Sequence, residues 1–151
     1  MRQTDDLLSA ISNEESLLHA SCVSHNRRAV LIRGASGSGK SSLALQLMAY
    51  GAELVSDDQT IVRLNAGRVL ASAPDTSCGL IEARRVGILR AAPVQNVPLH
   101  LVVDLDQNED QRLPHPRQVQ ILGHNFSMLF GVDAPYFAAA VFQMLRHGRN
   151  S

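Results

Sequence analysis

The 151 residues carry 14 basic and 14 acidic side chains, with 45% hydrophobic and 19% charged residues, the make-up of one globular domain with a core of its own. Balanced charge leaves no electrostatic case for nucleic acid or an anionic membrane as partner, and no apolar run approaches the roughly 18 residues a membrane span needs. Cys22 and Cys78 form neither a CxxC pair nor a disulfide framework, and the histidines show no metal-ligand spacing.

Residues 1–16 are too acidic and polar for a signal peptide; they are expected to form an N-terminal arm or short helix, in a cytoplasmic protein with free thiols. SLLHASCVS and AVLIR, joined by the polar His25-Asn26-Arg27-Arg28, predict a hairpin. A glycine-rich loop follows, then a helix from Lys40 with Leu43, Leu47 and Tyr50 at helical spacing and Gly51 just past its end. ELVS is a short strand ending at Asp57-Asp58. TIVRL and RVLAS form a hairpin around Asn65-Ala66-Gly67. Pro74 to Gly79 is loop, and LIEARRVGIL reads as a strand running into a loop. Leu99 to Leu105 is a buried strand, Gln107 to Pro116 a polar loop, and RQVQILG and NFSMLF are two further strands. The last helix is expected to open at Asp133-Ala134-Pro135, with Asp133 as N-cap, and to end at Gly148. No repeat or linker divides the chain. The expectation is a single α/β domain over 1–151, with a mixed central sheet, flanking helices and a C-terminal helix.

Gly34-Ala35-Ser36-Gly37-Ser38-Gly39-Lys40-Ser41 matches GxxxxGK[ST] in full, between a strand and a helix as a phosphate-binding P-loop requires. Gly37 and Gly39 let backbone N–H groups turn inward around an anion, and the helix N-terminus adds partial positive charge. Lys40, read as a surface ligand residue, would reach the β- and γ-phosphates of ATP, and the Ser41 hydroxyl would bind Mg²⁺. With the following Ser42, these residues form the expected nucleotide-binding set.

Binding is not yet a reaction, which needs an acidic partner after an apolar strand. Asp104, after Leu101-Val102-Val103, has the look of an ordinary Walker B aspartate. Asp57-Asp58 ends the strand that follows the P-loop helix, where a βαβ arrangement would put it on the P-loop side. Pattern alone leaves the two level.

In the order and spacing of several motifs the chain resembles the catalytic domain of the HPr kinase/phosphorylase family. Leu18-His19-Ala20 stands where the family has a strand with His-Gly. The P-loop has the family form GxSGxGKS. Leu43-Ala44-Leu45 and Val55-Ser56-Asp57-Asp58 follow without a gap, and Glu82-Ala83-Arg84-Arg85-Val86-Gly87-Ile88 matches in part the signature E-[IV]-R-G-L-G-I. The resemblance covers about residues 17 to 125. It implies transfer of the ATP γ-phosphoryl group to a serine of the phosphocarrier HPr of the sugar phosphotransferase system, and a reverse phosphorolysis in which inorganic phosphate yields pyrophosphate. It implies Asp57 as proton acceptor supported by Asp58, His19 near the phosphate site, Glu82 with Ser41 at Mg²⁺, and Arg84 on the phosphoryl group or the partner's loop. It also implies a homo-oligomer, since the family forms hexamers.

The chain departs from the family at Ala20 for Gly, Ser42 for Glu and Arg85 for the signature's first Gly. The family's N-terminal domain is expected to be absent. SMLFGVDAPYFAAAVF stands where a PGRN-like segment is expected, and with Arg85 in the signature this makes phosphorolysis the weaker expected activity. Two other classes compete: a small-molecule P-loop kinase, for which an arginine-rich lid is wanting, and a non-enzymatic nucleotide sensor.

Overall fold

The computed structural model describes residues 14–150. The expected arm or helix at 1–16 lies largely outside these residues, and Glu15 and Ser16 belong to a strand instead. β1 (Glu15–Leu18) and β2 (Ala20–His25) are one extended segment broken at His19, and β2 turns back into β3 (Arg28–Arg33). The turn is made by Asn26 and Arg27, at φ 51° and 60°, the paired positive values of a two-residue hairpin turn.

α1 (Lys40–Ala49) follows the glycine loop. β4 (Glu53–Ser56) then returns to pair antiparallel with β2. The predicted hairpin is β5 (Thr60–Asn65) with β6 (Arg68–Ser72). LIEARRVGIL is a complete hairpin, β7 (Leu80–Ala83) and β8 (Gly87–Arg90), rather than a strand running into a loop. Its turn holds a hydrogen bond from Val86 N to Ala83 O, and Arg85 takes a positive φ of 68° that a sequence pattern without a Gly there does not announce.

The buried strand is longer than predicted: β9 runs Val97–Asn108. It pairs in parallel with β3 on one side and with β11 (His124–Gly131) on the other, and its start also pairs with β6. β10 (Arg117–Ile121) closes that edge against β11. The sheet order through the site is therefore β4-β2-β3-β9-β11-β10, with β6, β5 and β1 folded off the start of β9. The expected neighbour relation between the strands flanking α1 is one step looser than a simple βαβ unit, because β2 lies between β3 and β4.

α2 (Phe137–His147) starts later than predicted. Asp133 does not cap it; residues 134–136 form a turn, Tyr136 is the N-cap, and Gly148 ends the helix with φ 75°.

Strand alternation sorts the core into two layers. Val23, Val30, Ile32, Leu54, Leu101 and Val103 face the helices, meeting Leu43, Ala44 and Leu47 of α1 and Val141, Phe142 and Leu145 of α2. Cys22, Ala29, Leu31, Val55, Leu99 and Val102 face the other way, onto Val62, Val69 and Ala71 of the smaller β-layer. Leu47 and Leu145 are fully buried, and trimming either to Ala would cost about 2–5 kcal/mol. Cys22 is fully buried and burial pushes its thiol up, which makes it an inert core residue; Cys22 and Cys78 are both free.

Candidate active site

β3 delivers the chain into the glycine loop at the carboxyl edge of the sheet. At Gly34 a Cβ would sit 2.5 Å from Ser38 Oγ and 3.3 Å from Leu105 Cβ, so no side chain fits between loop and sheet. Gly39 precedes the helix with φ 101°, a conformation costly to L-residues. The first turn of α1 holds no acidic residue, leaving its N–H groups and dipole open to an anion. Asp106, at the end of β9, accepts the Ala35 N–H at 2.9 Å and so pins the start of the loop.

Lys40 is not a surface residue. It is 6% exposed, and its Nζ donates to Gly34 O at 2.9 Å and Ala35 O at 3.2 Å, curled over the loop that it closes. His19 Nε2 lies 3.4 Å from the same Nζ, 3.5 Å from Ser36 Oγ and 3.6 Å from Asp58 Oδ1. The histidine therefore stands at the break between β1 and β2, over the loop, with about half of its side chain exposed.

The two adjacent carboxylates differ sharply. Asp57 is 8% exposed and its oxygens are engaged: Oδ1 accepts from Ser41 Oγ at 2.6 Å and Ser21 Oγ at 2.8 Å, and Oδ2 from Glu82 N at 3.0 Å. Asp58 has φ 67°, and its side chain is 63% exposed. The kink between β4 and β5 turns one carboxylate into the P-loop and leaves the other free beside His19.

A cavity of about 700 Å³ joins these groups; its lining includes Ser36, Gly37, Gly39, Lys40, Ser41, Ser42, Asp57, Asp58, Glu82 and Arg84. Of the expected set, His19, Gly34, Ala35 and Ser38 are not in that lining, and Ser38 Oγ is buried without a partner. Arg84 and Glu82 reach the cavity from the β7–β8 hairpin, with Leu80 and Ile88 as an apolar wall.

Asp104 is elsewhere. It shares the face of Val102, away from α1, accepts from Arg33 at 3.3 Å and from the Asp106 N–H at 2.9 Å, and does not line the cavity. The helix-facing residue beside the loop is Leu105, which offers no carboxylate. Of the two candidates, Asp57-Asp58 lines the cavity and Asp104 does not. Hard oxygen donors at Ser41, Asp57 and Glu82 suit Mg²⁺. No group of three or more His, Cys, Asp or Glu side chains gathers around a metal position among the described residues.

Sequence reasoning missed Ser21 and Asp106. Neither sits in a motif; strand alternation places Ser21 on a buried strand where an apolar residue is the usual choice, and that is the one signal it left.

A strand, a glycine loop closed by lysine and a helix, facing a carboxylate turn, sit at the edge of a mixed α/β domain. Residues 10–135 match the family model described as HPr Serine kinase C-terminal domain, so the chain belongs to that family. It is similar to HPr kinase/phosphorylase of Clostridium beijerinckii, 32% identical over 127 residues, 76% of this chain and 42% of the relative. The corresponding protein of Clostridium botulinum (strain Eklund 17B / Type B) is 37% identical over 75 residues, 50% of this chain and 25% of the relative. The chain thus spans less than half of the length of these relatives. The fold is that of the Hpr(Ser) kinase/phosphatase from Coxiella burnetii, with a TM-score of 0.74 at 23% identity, covering 87% of this chain and 88% of that one. No helix among the described residues is long and apolar enough to cross a membrane.

Proposed function

We propose that the chain is an ATP-dependent protein serine kinase acting on HPr, with phosphorolysis of phosphoserine-HPr as a weaker second activity. The observation that carries the reading is the split between the two carboxylates: Asp57 locked to Ser41 of the P-loop, and Asp58 free beside His19 on the same cavity.

In the forward reaction the acceptor serine oxygen attacks the γ-phosphorus, the bond to the β,γ-bridging oxygen breaks, and ADP leaves. The serine proton passes to a carboxylate. Asp58 has the open position for this, while the oxygens of Asp57 hold three donors and make it an anchor; the resemblance instead gives the proton to Asp57 and the support to Asp58. Loop amides and Lys40 hold the phosphates, and Arg84 faces the transferred group or the acceptor. Ser41, Asp57 and Glu82 would hold Mg²⁺, which when bound neutralises charge on the β- and γ-phosphates. In reverse, a phosphate oxygen attacks the phosphoserine phosphorus, the serine oxygen leaves and takes the proton, and pyrophosphate forms.

The test is phosphoserine formation on purified HPr with Mg-ATP, followed by mass spectrometry, and pyrophosphate release from serine-phosphorylated HPr with phosphate. A chain that binds ATP and phosphorylates no HPr defeats the proposal.

A further inference from the structure

Ser21 is fully buried on β2, next to the break at His19. Its hydroxyl donates to Asp57 Oδ1 at 2.8 Å and accepts the Asp58 N–H at 3.1 Å. A hydroxyl has one proton, so donating to the carboxylate fixes which way it turns, and its lone pairs are then left toward the Asp58 amide. One side chain thereby bridges both members of the carboxylate pair.

The bridge sits where backbone pairing fails. β4 ends at Ser56, opposite Cys22, and the pairing of β2 with β4 shifts register between Cys22 and Val23. The Asp57–Gln59 kink carries the chain to β5 and has no ladder partner of its own. Buried hydroxyls take over: Thr60 Oγ1 donates to Ala20 O at 2.8 Å, Ser56 Oγ donates to Gln59 O, and Ser21 holds the turn in the middle. Without the Ser21 hydroxyl the Asp58 N–H would lose this acceptor, in a residue already at φ 67°.

We infer that Ser21 is a positioning residue for phosphoryl transfer: its hydroxyl fixes the Asp57-Asp58 turn so that one carboxylate grips the P-loop serine and the other stays free at the cavity. The rate consequence rests on the proposed kinase function; the structural one does not.

The experiment compares wild type, Ser21→Ala and Ser24→Ala, the last removing another buried hydroxyl from the same strand. Residue-resolved amide hydrogen exchange reads the Asp58 N–H, and steady-state kinetics with HPr and Mg-ATP read turnover. In Ser21→Ala, Asp58 exchange should rise at least about tenfold while the rest of β2 stays protected. Its kcat should fall about ten- to a hundredfold, the scale of a displaced catalytic group, with KM for ATP within about twofold. Ser24→Ala should match wild type in both. Unchanged Asp58 exchange or unchanged kcat in folded Ser21→Ala overturns the assignment. If Ser21→Ala loses its cooperative melt, Ser21→Cys, whose larger sulfur is too weak an acceptor to hold the Asp58 N–H as the hydroxyl does, carries the same two readouts, and wild-type values in it overturn the assignment. A wild-type chain inactive on HPr defeats the proposed function alone, since the exchange comparison still decides whether Ser21 holds the turn.

Discussion

Ser41 Oγ donates to Asp57 Oδ1 at 2.6 Å, tying the first turn of α1 to the end of a strand two places away in the sheet. The hydroxyl expected to hold a cation is thus already on a carboxylate that we propose holds it from the other side. Asp57→Asn would put an amide at this junction, and one of its two polar atoms would then be a donor facing the donors of Ser21, Ser41 or Glu82. Weaker Mg-nucleotide binding, by about tenfold or more, is expected together with loss of transfer. Asp58→Asn should instead keep nucleotide affinity and lose about 10²–10⁴-fold in kcat, the range of general-base catalysis. Asp104→Asn should leave transfer within a few-fold, because Asp104 does not line the cavity and the acceptor it offers the Asp106 N–H, beside its contact with Arg33, is one that an Asn side chain can keep. Isotherms and rates on the three variants check this together; a folded, inactive Asp104→Asn beside an active Asp58→Asn would reverse the roles.

Lys40→Ala should lose nucleotide affinity by tenfold or more, and should also be less stable. The Nζ bonds to Gly34 O and Ala35 O are charge-assisted and largely shielded from water, so their removal costs about 1–3 kcal/mol. A calorimetric melt should register a lower Tm, and a fluorescent-nucleotide titration the lost affinity. Full phosphotransfer by Lys40→Ala would rule out the loop as the working site.

The loop, its helix and the carboxylate pair were legible because each is local: a contiguous motif, a 3.6-residue apolar period, a strand ending in two acids. What the sequence withheld depends on contacts between distant segments. Lys40 looked like a surface ligand, and only the loop's curl explains its burial. The resemblance named Asp57 as proton acceptor and Asp58 as its support, but not which of the two is buried, since that difference comes from Ser21 and Glu82, 36 and 25 residues away in sequence. The β7–β8 turn was hidden because Arg85 holds a conformation that pattern rules assign to Gly.

Glu109 and Arg117 should give a pH signature. Arg117 donates to both oxygens of Glu109, at 3.2 and 3.1 Å, and this hydrogen bonding holds the Glu109 carboxyl below its usual value. A depressed folded pKa means stability present above the unfolded value of about 4.3 and lost as pH falls through the folded pKa. Glu109→Gln should therefore melt below wild type at pH 7, and the gap should close toward pH 3. The stacking of Arg117 over Phe130, at 4.0 Å, remains in both proteins and cancels from the comparison. A gap independent of pH would show that the ion pair is not its source.

Arg84→Lys should separate the acceptor from the nucleotide. Arg presents a planar fork to phosphate oxygens, and Lys a single point charge. Since Arg84 enters the cavity from the β7–β8 hairpin rather than from the loop, KM for HPr or kcat should worsen about tenfold while ATP affinity stays within a few-fold. A large loss of ATP affinity with normal turnover at saturation would place Arg84 on the nucleotide.

Arg85 stands third in the four-residue turn Ala83–Val86, closed by Val86 N to Ala83 O at 2.9 Å, with φ 68°. Turns with a positive φ at that position favour Gly, because a Cβ there is crowded by its own backbone. Arg85→Gly should therefore relieve strain of about 1 kcal/mol, offset in part by the greater freedom that Gly gives the unfolded chain. The net expectation is a Tm equal to or slightly above wild type. If the strain is kept because the side chain does something, activity will tell: Arg85 lines a hollow beside Arg84, next to the exposed Val86 and Ile88 at the hairpin tip. In that case Arg85→Gly should raise KM for HPr severalfold at unchanged KM for ATP, in a protein at least as stable as wild type. Unchanged kinetics with raised Tm would mark Arg85 as a tolerated substitution in a glycine turn. A fall in Tm of several degrees would instead show that the arginine side chain supports the hairpin itself.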